Sequence, residues 1–189
     1  MKHLLHEITA NYEKYEKVLN AYVIKLVPMI NPDGVVIGNS RSSMTGIDLN
    51  RRWSNPNPVM HPEIYFLKNH MKLIEKQCAG ISIFCDLHGH NKQLNTFIYG
   101  CNKAPNEGIL SWTKTRLFPK ILASIEPIFD FKHCQFSQER QKYNTARVVV
   151  WNEMQVTNSF TLETSMFAKK VKHIVTTNQT FGNQKTRFQ

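Results

Sequence analysis

The sequence is poor in glycine, proline and cysteine, and these shortages exclude several classes of protein. With only 8 glycines and 8 prolines among 189 residues, it contains neither a collagen-like repeat nor a flexible linker. The four cysteines form no Cys-x-x-Cys pair; they are Cys78, Cys85, Cys101 and Cys134. This spacing argues against a zinc site built from thiolates and against a disulfide-rich secreted scaffold. We therefore interpret all four as reduced thiols.

Long hydrophobic runs and acidic residues are also scarce. No stretch approaches the roughly 20 apolar residues that a membrane helix needs, and residues 1–7 become polar too early for a secretory signal. We therefore expect a cytoplasmic location and no membrane partner. The 14 Asp and Glu are outnumbered by 24 Lys and Arg, which gives a net charge of +10 and favours an acidic partner. A nucleic acid is not predicted, because no basic helix, aromatic stacking series or zinc finger accompanies the charge.

The order of apolar segments indicates an α/β fold. Helical spacing predicts helices around residues 4–19, 62–74 and 117–125. Short β-rich runs predict strands at residues 21–27, 81–87, 95–100, 147–151 and 158–163, and the sequence NPDG at residues 31–34 predicts a turn. This alternation favours a mixed, mostly parallel sheet flanked by helices. We place one domain at residues 1–168 and a basic polar tail at residues 169–189.

Polar side chains collect where the predicted strands end, which is where ligands bind in open α/β sheets. These side chains are Asp86 and His88 at the end of one strand, Glu163 at the end of another, and Arg41, Asn50 and Arg51 in the loop after the first. An imidazole, a carboxylate and guanidinium groups at one sheet edge would suit metal-assisted attack on a substrate that itself carries a carboxylate.

Each of these residues also has a purely structural interpretation. His88 and His90 could be ordinary strand-end histidines bonded to backbone carbonyls. Glu163 could be a paired carboxylate, since carboxylates are seldom buried without a partner, and Arg51 could belong to a solvated face. Composition and spacing leave both interpretations open.

Four blocks of sequence resemble the metallocarboxypeptidases of the carboxypeptidase A superfamily, and specifically their cytosolic branch. The blocks are VPMINPDGV at residues 27–35, GNSR at 38–41 followed by GIDLNR at 46–51, CDLHGH at 85–90 with FIYGC at 97–101, and NSFTLE at 158–163. They occur in the order that the family has. The resemblance implies a carboxypeptidase-like fold that this chain contains incompletely at its N-terminus and at its C-terminus.

The resemblance also implies roles for individual residues. His88 corresponds to a zinc ligand, and Glu163 to the general base that takes a proton from water activated by Zn²⁺. Arg41 corresponds to the cation that stabilises the oxyanion. Asn50 and Arg51 correspond to the clamp on the terminal carboxylate of the substrate, a role that suits the planar fork of arginine.

The cytosolic branch is known for removing C-terminal glutamate from proteins, tubulin above all. A terminal glutamate needs a second cation for its side chain, and Arg147 is our candidate. The implied partners are acidic polypeptide C-termini, with tubulin as the candidate, and the implied location extends to microtubules or cilia. The basic composition agrees with such a partner, because positive charge steers an acidic tail.

One part of the family pattern is absent from this sequence. The first two zinc ligands of the family come from a His-x-x-Glu motif, and none of the 8 histidines is followed by glutamate three positions later. Because catalytic zinc usually takes three protein ligands, the resemblance supplies only His88. We therefore hold two hypotheses: a zinc carboxypeptidase that is inactive as this incomplete domain, and a non-catalytic relative that binds acidic C-terminal tails without cleaving them.

Overall fold

The computed structural model describes residues 1–102 and 108–167, and these residues form two compact units. The first unit comprises Met1–Ser82 and Gln138–Val156, and the second comprises Ile83–Ser137 together with the chain from Thr157 onward. The predicted basic tail at residues 169–189 lies outside the described residues. Within the described residues, no helix is long and apolar enough to cross a membrane.

The first unit is helical. Its helices are α1 (Lys2–Ala10), α2 (Tyr12–Ala21), α3 (Pro32–Ile37), α4 (Pro62–Gln77) and α6 (Ala146–Met154), with short 3₁₀ turns at Leu49–Arg51 and Arg140–Lys142. The predicted opening helix is therefore two helices, because Asn11 has a non-helical backbone (φ −118°, ψ 44°). The predicted second helix is confirmed as α4, which starts on Pro62 and buries Ile64, Lys68 and Met71.

Two predictions for the segment after α2 are wrong. Residues 22–27 form no strand, and Val23 exposes 76% of its surface instead of being buried. A strand exists only through pairing, and in the described part of the chain this apolar run has no neighbouring strand. The predicted turn at residues 31–34 is a helix start, since the amide N–H of Gly34 donates to Oδ1 of Asn31 (3.0 Å) and Pro32 opens α3.

The predicted strand at residues 147–151 is also wrong, because these residues lie in α6. Three consecutive valines would suit a strand by propensity, but the difference in propensity is only about 1 kcal/mol. Val148, Val149 and Val150 are all buried in α6, so this turn of the helix is buried on all sides. Burial at every position of this run outweighs the local preference for a strand.

The second unit contains the sheet. Its strands are β1 (Phe84–His90), β2 (Thr96–Tyr99) and β3 (Ser159–Ser165), in the order β1–β3–β2. β1 runs parallel to β3 and β2 runs antiparallel to it, which confirms a mixed sheet. The predicted strands at 95–100 and 158–163 are confirmed, whereas the strand predicted at 81–87 begins later and continues through His90.

One face of this sheet is covered by helix α5 (Gly108–Ile125), which confirms the helix predicted around 117–125. The core beneath it is Ile98, Phe129 and Phe160, and the ring of Phe118 stacks on Phe160 with centroids 5.4 Å apart. A 3₁₀ turn at Phe131–His133 completes this packing. The opposite face of the sheet carries His88 and Glu163.

Candidate functional site

His88 and Glu163 lie side by side in the second unit. They are register partners on the parallel strands β1 and β3. Residues opposite each other on neighbouring strands project from the same face, so the imidazole and the carboxylate share one surface of the sheet. On the other side of Glu163, its register partner on β2 is Phe97. Both residues lie within strands, whereas the sequence predicted them at strand ends.

His88 is oriented by a carboxylate of its own strand. Its Nε2 atom lies 2.8 Å from Oδ2 of Asp86, two residues earlier on the same face. A carboxylate accepts hydrogen bonds, so the imidazole donates its Nε2–H to Asp86. Histidines that bind metals are commonly oriented in this way by a carboxylate on the other ring nitrogen.

Aromatic rings pack around the same surface. The ring of Phe97 meets the imidazole of His90 edge to face with centroids 5.1 Å apart, and meets Tyr99 at 5.5 Å. Phe97 is buried. Nδ1 of His90 accepts hydrogen bonds from the backbone N–H groups of Lys92 and Gln93. His90 therefore closes the turn after β1.

The first unit gathers the predicted cations around Asp48, a residue to which the sequence analysis gave no role. Oδ2 of Asp48 is 3.1 Å from Nη1 of Arg41 and 3.9 Å from Nη1 of Arg51. Its Oδ1 accepts the backbone N–H of Asn50 at 2.9 Å and thereby caps the turn Leu49–Arg51. Ion pairs this exposed contribute little to stability, so their main consequence is to hold two guanidinium groups near one point.

Asn50 links this cluster to Arg147. Its Oδ1 accepts the backbone N–H of Ala146 at 2.8 Å, at the first residue of α6. Arg147 is the next residue and is 3% exposed. The side-chain oxygen of Asn50 is thus used for a helix N–H, and the group it retains for donation is its amide nitrogen. The structure therefore brings together Arg41, Asn50 and Arg51, and connects them to the start of α6.

Two further asparagines hold the backbone at Arg41. Oδ1 of Asn39 accepts the N–H groups of Arg41 and Ser42, each at 2.9 Å. Nδ2 of Asn31, the residue that caps α3, donates to the carbonyl of Ser42 at 3.1 Å. Both asparagines lie within the sequence blocks quoted above, but their role depends on contacts that residue spacing does not reveal.

Comparison with known proteins identifies the family. The sequence model for zinc carboxypeptidases matches residues 1–181.

The chain belongs to the zinc carboxypeptidase family.

Curated members of this family are similar over much of the chain. Human cytosolic carboxypeptidase 1 is 38% identical over 176 residues, which cover 88% of this chain and 14% of the human protein. Mouse cytosolic carboxypeptidase 4 is 40% identical over 154 residues, which cover 76% of this chain and 14% of the mouse protein. The chain thus spans about 14% of the length of these curated relatives.

Solved structures of metallocarboxypeptidases share its fold. A metallo-carboxypeptidase from Burkholderia cenocepacia superposes with a TM-score of 0.63 at 25% identity, covering 74% of this chain and 34% of the other. A metallo-carboxypeptidase from Pseudomonas aeruginosa, solved in complex with (2-guanidinoethylmercapto)succinic acid, gives a TM-score of 0.62 at 28% identity. It covers 74% of this chain and 36% of the other. These matches confirm the predicted carboxypeptidase-like α/β fold.

The family name implies zinc, and His88 is the candidate ligand among the described residues. The imidazole of His88 has the carboxylate of Asp86 on one ring nitrogen, an arrangement that is common among histidines that bind metals. Across residues 1–102 and 108–167, however, no group of three His, Cys, Asp or Glu side chains is arranged to hold a metal ion. Catalytic zinc usually takes three protein ligands, so the described residues do not form a complete site.

Proposed function

We propose that this chain belongs to a zinc-dependent carboxypeptidase that removes C-terminal glutamate from acidic polypeptide tails, with tubulin tails as the candidate substrate, and that the chain is inactive until the missing zinc ligands are supplied. The observation that carries the proposal is the cluster in the first unit, where Asp48 holds Arg41 and Arg51 and where Asn50 adjoins the start of α6. Two cations and an amide donor within one short segment suit a carboxylate ligand.

We assign the terminal carboxylate of the substrate to Asn50 and Arg51. The amide nitrogen of Asn50 is its remaining donor, and the guanidinium of Arg51 can meet a carboxylate through two parallel hydrogen bonds. We assign the side-chain carboxylate of the terminal glutamate to Arg147. Its burial on α6 favours a strong interaction, because a charged hydrogen bond is stronger away from water.

For the bond-breaking step we assign Glu163 as the general base and Arg41 as the group that stabilises negative charge on the carbonyl oxygen. Glu163 would accept a proton from the attacking water, and the same carboxyl group can return it to the departing amine. The register of Glu163 with His88 supports these assignments, since it gives a proton acceptor and an imidazole on one surface. His88 is the residue we assign to zinc.

The proposed location follows from the proposed substrate. The curated relatives are named cytosolic carboxypeptidases, which supports a cytoplasmic protein. Association with microtubules or cilia is the further step that a tubulin substrate would require.

Peptide hydrolysis tests the proposal. The protein, with a His-x-x-Glu segment supplied to complete the zinc ligands, is incubated with two peptides of identical acidic sequence ending in glutamate, one with a free C-terminal carboxylate and one with a C-terminal amide. Mass spectrometry follows the released residue, which is glutamate from the free acid and the α-amide of glutamate from the amidated peptide. We expect release from the free acid only, because the amide offers no carboxylate to Asn50 and Arg51. Equal release from both peptides would refute recognition of the terminus.

The incomplete ligand set favours a second candidate, a non-catalytic protein that binds acidic C-terminal tails through the same residues. The two candidates differ in metal content. Stoichiometric zinc in the purified protein would contradict binding alone, and absence of zinc together with retained binding of the free-acid peptide would contradict the enzyme. Asn50 and Arg51 have the same contacts with the terminal carboxylate under both candidates.

A further inference from the structure

A buried lysine, Lys68 on α4, contacts the end of the segment that carries Asn50 and Arg51. It is 5% exposed. Burial of an ammonium group is unfavourable unless the charge is paired and hydrogen-bonded. The position of Lys68 therefore needs an explanation, and its hydrogen bonds supply one.

Each of the three N–H groups of Lys68 has an acceptor. Nζ lies 2.7 Å from the carbonyl of Trp53, 3.0 Å from the carbonyl of Ser54 and 2.8 Å from Oε1 of Glu153. An ammonium group has three donors and no acceptor, so this set uses its full capacity. Lys68 has no donor left for a substrate, and any effect on binding must be indirect.

These bonds connect the segment to α6 at a second point. Glu153 lies near the end of α6, and Ala146, bonded to Asn50, lies at its start. The segment from Asn50 to Ser54 is thus tied directly to one end of α6 and through Lys68 to the other. In addition, the backbone N–H of Trp53 donates to the carbonyl of Asn144 at 3.1 Å. Arg51 lies between the tied points.

The charge on Glu153 is maintained by two lysines. Partial burial by itself would raise the pKa of Glu153, but hydrogen bonds from Lys68 and Lys72 outweigh it and lower the pKa below its ordinary value. Lys72 is 3.1 Å from Oε2 of Glu153, and its side chain is 45% exposed. Lys72 therefore shares the ion pair with Lys68, but no described contact joins it to the segment from Asn50 to Ser54.

We infer that Lys68 is a positioning residue for recognition of the terminal carboxylate: it fixes the Trp53 and Ser54 carbonyls to α4 and α6, and thereby sets the place of Asn50 and Arg51. The inference rests on the proposed function, because it explains how that carboxylate clamp is held in position. Without Lys68 the two carbonyls and Glu153 lose their common partner. The clamp then loses affinity for a terminal carboxylate, whereas contacts with the rest of an acidic peptide are unaffected.

The test measures affinity for the same pair of peptides, the free acid and its C-terminal amide, by isothermal titration calorimetry. All proteins carry Glu163→Gln so that the peptide is not consumed. Lys68→Met keeps the length of the side chain but removes its donors, and Lys72→Met is the matched control because it removes the other partner of Glu153. Far-UV circular dichroism establishes that each variant is folded.

We expect Lys68→Met to weaken binding of the free acid by about tenfold or more, the scale of one charge-assisted hydrogen bond. Binding of the amide should change less than about twofold, and Lys72→Met should leave both affinities close to the parent values. Free-acid binding that Lys68→Met leaves intact overturns the inference. An equal loss for both peptides, or an equal loss with Lys72→Met, also overturns it, because either result indicates a general effect of stability or charge.

Two further outcomes are decided in advance. If the parent protein binds acid and amide equally, the carboxylate clamp of the proposed function is refuted, and the role of Lys68 with it. If the parent protein prefers the free acid and Lys68→Met keeps that preference, only the role of Lys68 is refuted. If Lys68→Met does not fold, Glu153→Gln replaces it, since the amide keeps the shape of the side chain and an acceptor for Nζ but removes the charge that pairs with Lys68. We then expect about threefold weaker binding of the free acid, and unchanged binding would overturn the inference.

Discussion

The two units hold their candidate functional residues by different means. In the second unit, backbone register places His88 beside Glu163, so their spacing follows from a ladder of hydrogen bonds within the sheet. In the first unit, side-chain hydrogen bonds of Asp48 and Asn50 position the candidate residues. Substitutions near the sheet should therefore change chemistry through the substituted side chain alone, whereas substitutions in the first unit should act through neighbours as well.

The largest effect is expected for Glu163→Gln. The amide keeps the shape of the side chain and its place in β3 but cannot accept a proton, so turnover should fall by at least about 100-fold. Initial rates of glutamate release measure it, in protein to which the missing zinc ligands have been supplied. Thr164→Ser, at the exposed next position of the same strand, is the control and should keep full activity. Near-normal turnover of the glutamine variant would remove Glu163 from the reaction.

Replacement of Arg147 by methionine should have the next largest effect. We expect the preference for terminal glutamate over terminal glutamine to fall by about 1.5–3 kcal/mol, the range for a charged hydrogen bond. The preference is the ratio of kcat/KM values, or of Kd values if the protein only binds. Arg140→Met removes the same charge from an exposed position and should leave the ratio unchanged. An unchanged ratio for Arg147→Met would show that another residue reads the glutamate side chain.

Two glycine-to-alanine substitutions, one in each unit, distinguish the two units experimentally. A Cβ at Gly34 would lie 2.2 Å from Nδ2 of Asn31 and 2.9 Å from the carbonyl of Ser42, and a Cβ at Gly100 would lie 2.6 Å from Cδ1 of Phe136. Either alanine variant should lower the free energy of unfolding by about 1–3 kcal/mol, measured with urea.

Only Gly34→Ala should also weaken binding of the free-acid peptide, because Asn31 holds the backbone next to Arg41, and Arg41 shares Asp48 with Arg51 of the clamp. Gly100→Ala loosens a ring in the second unit, which has no part in the carboxylate clamp. If the two variants weaken binding equally, binding of the free acid does not depend on the first unit in particular, which contradicts the account.

The smallest effect is expected for the cysteines, one from each unit. Partial burial raises the pKa of the Cys134 thiol to about 11, whereas Cys78 is exposed. Since the thiolate is the reactive form, iodoacetamide at pH 8 should alkylate Cys134 at least about tenfold more slowly than Cys78. Peptide mapping by mass spectrometry measures both rates. Comparable rates would show that the second unit opens readily around Cys134.

The sequence was informative where local pattern and tertiary environment agree. β3 was predicted because residues 158–163 combine β-rich composition with flanking polar residues, and its register partner on β1 gave the expected neighbour for Glu163. The valine run of α6 failed for the opposite reason, because burial on all sides removes the periodicity that distinguishes a helix from a strand.

In the candidate site, too, some features could be predicted from the sequence and others could not. The types of residue that could bind a carboxylate or move a proton were evident from the sequence and its resemblance to a family. The residues that hold them, such as Asp48 and Lys68, were not, because hydrogen bonds between distant segments leave no periodic pattern. The apolar run at residues 22–27 failed because strand formation depends on a partner that composition does not specify.

The most direct measurement is a crystal structure of the protein with bound acidic peptide that ends in glutamate, prepared with Glu163→Gln to prevent cleavage. We predict that the terminal carboxylate lies within hydrogen-bond distance of the Asn50 amide nitrogen and the Arg51 guanidinium, with the glutamate side chain at Arg147. A peptide whose terminus lies away from these three residues would contradict the assignment of this segment to carboxylate recognition.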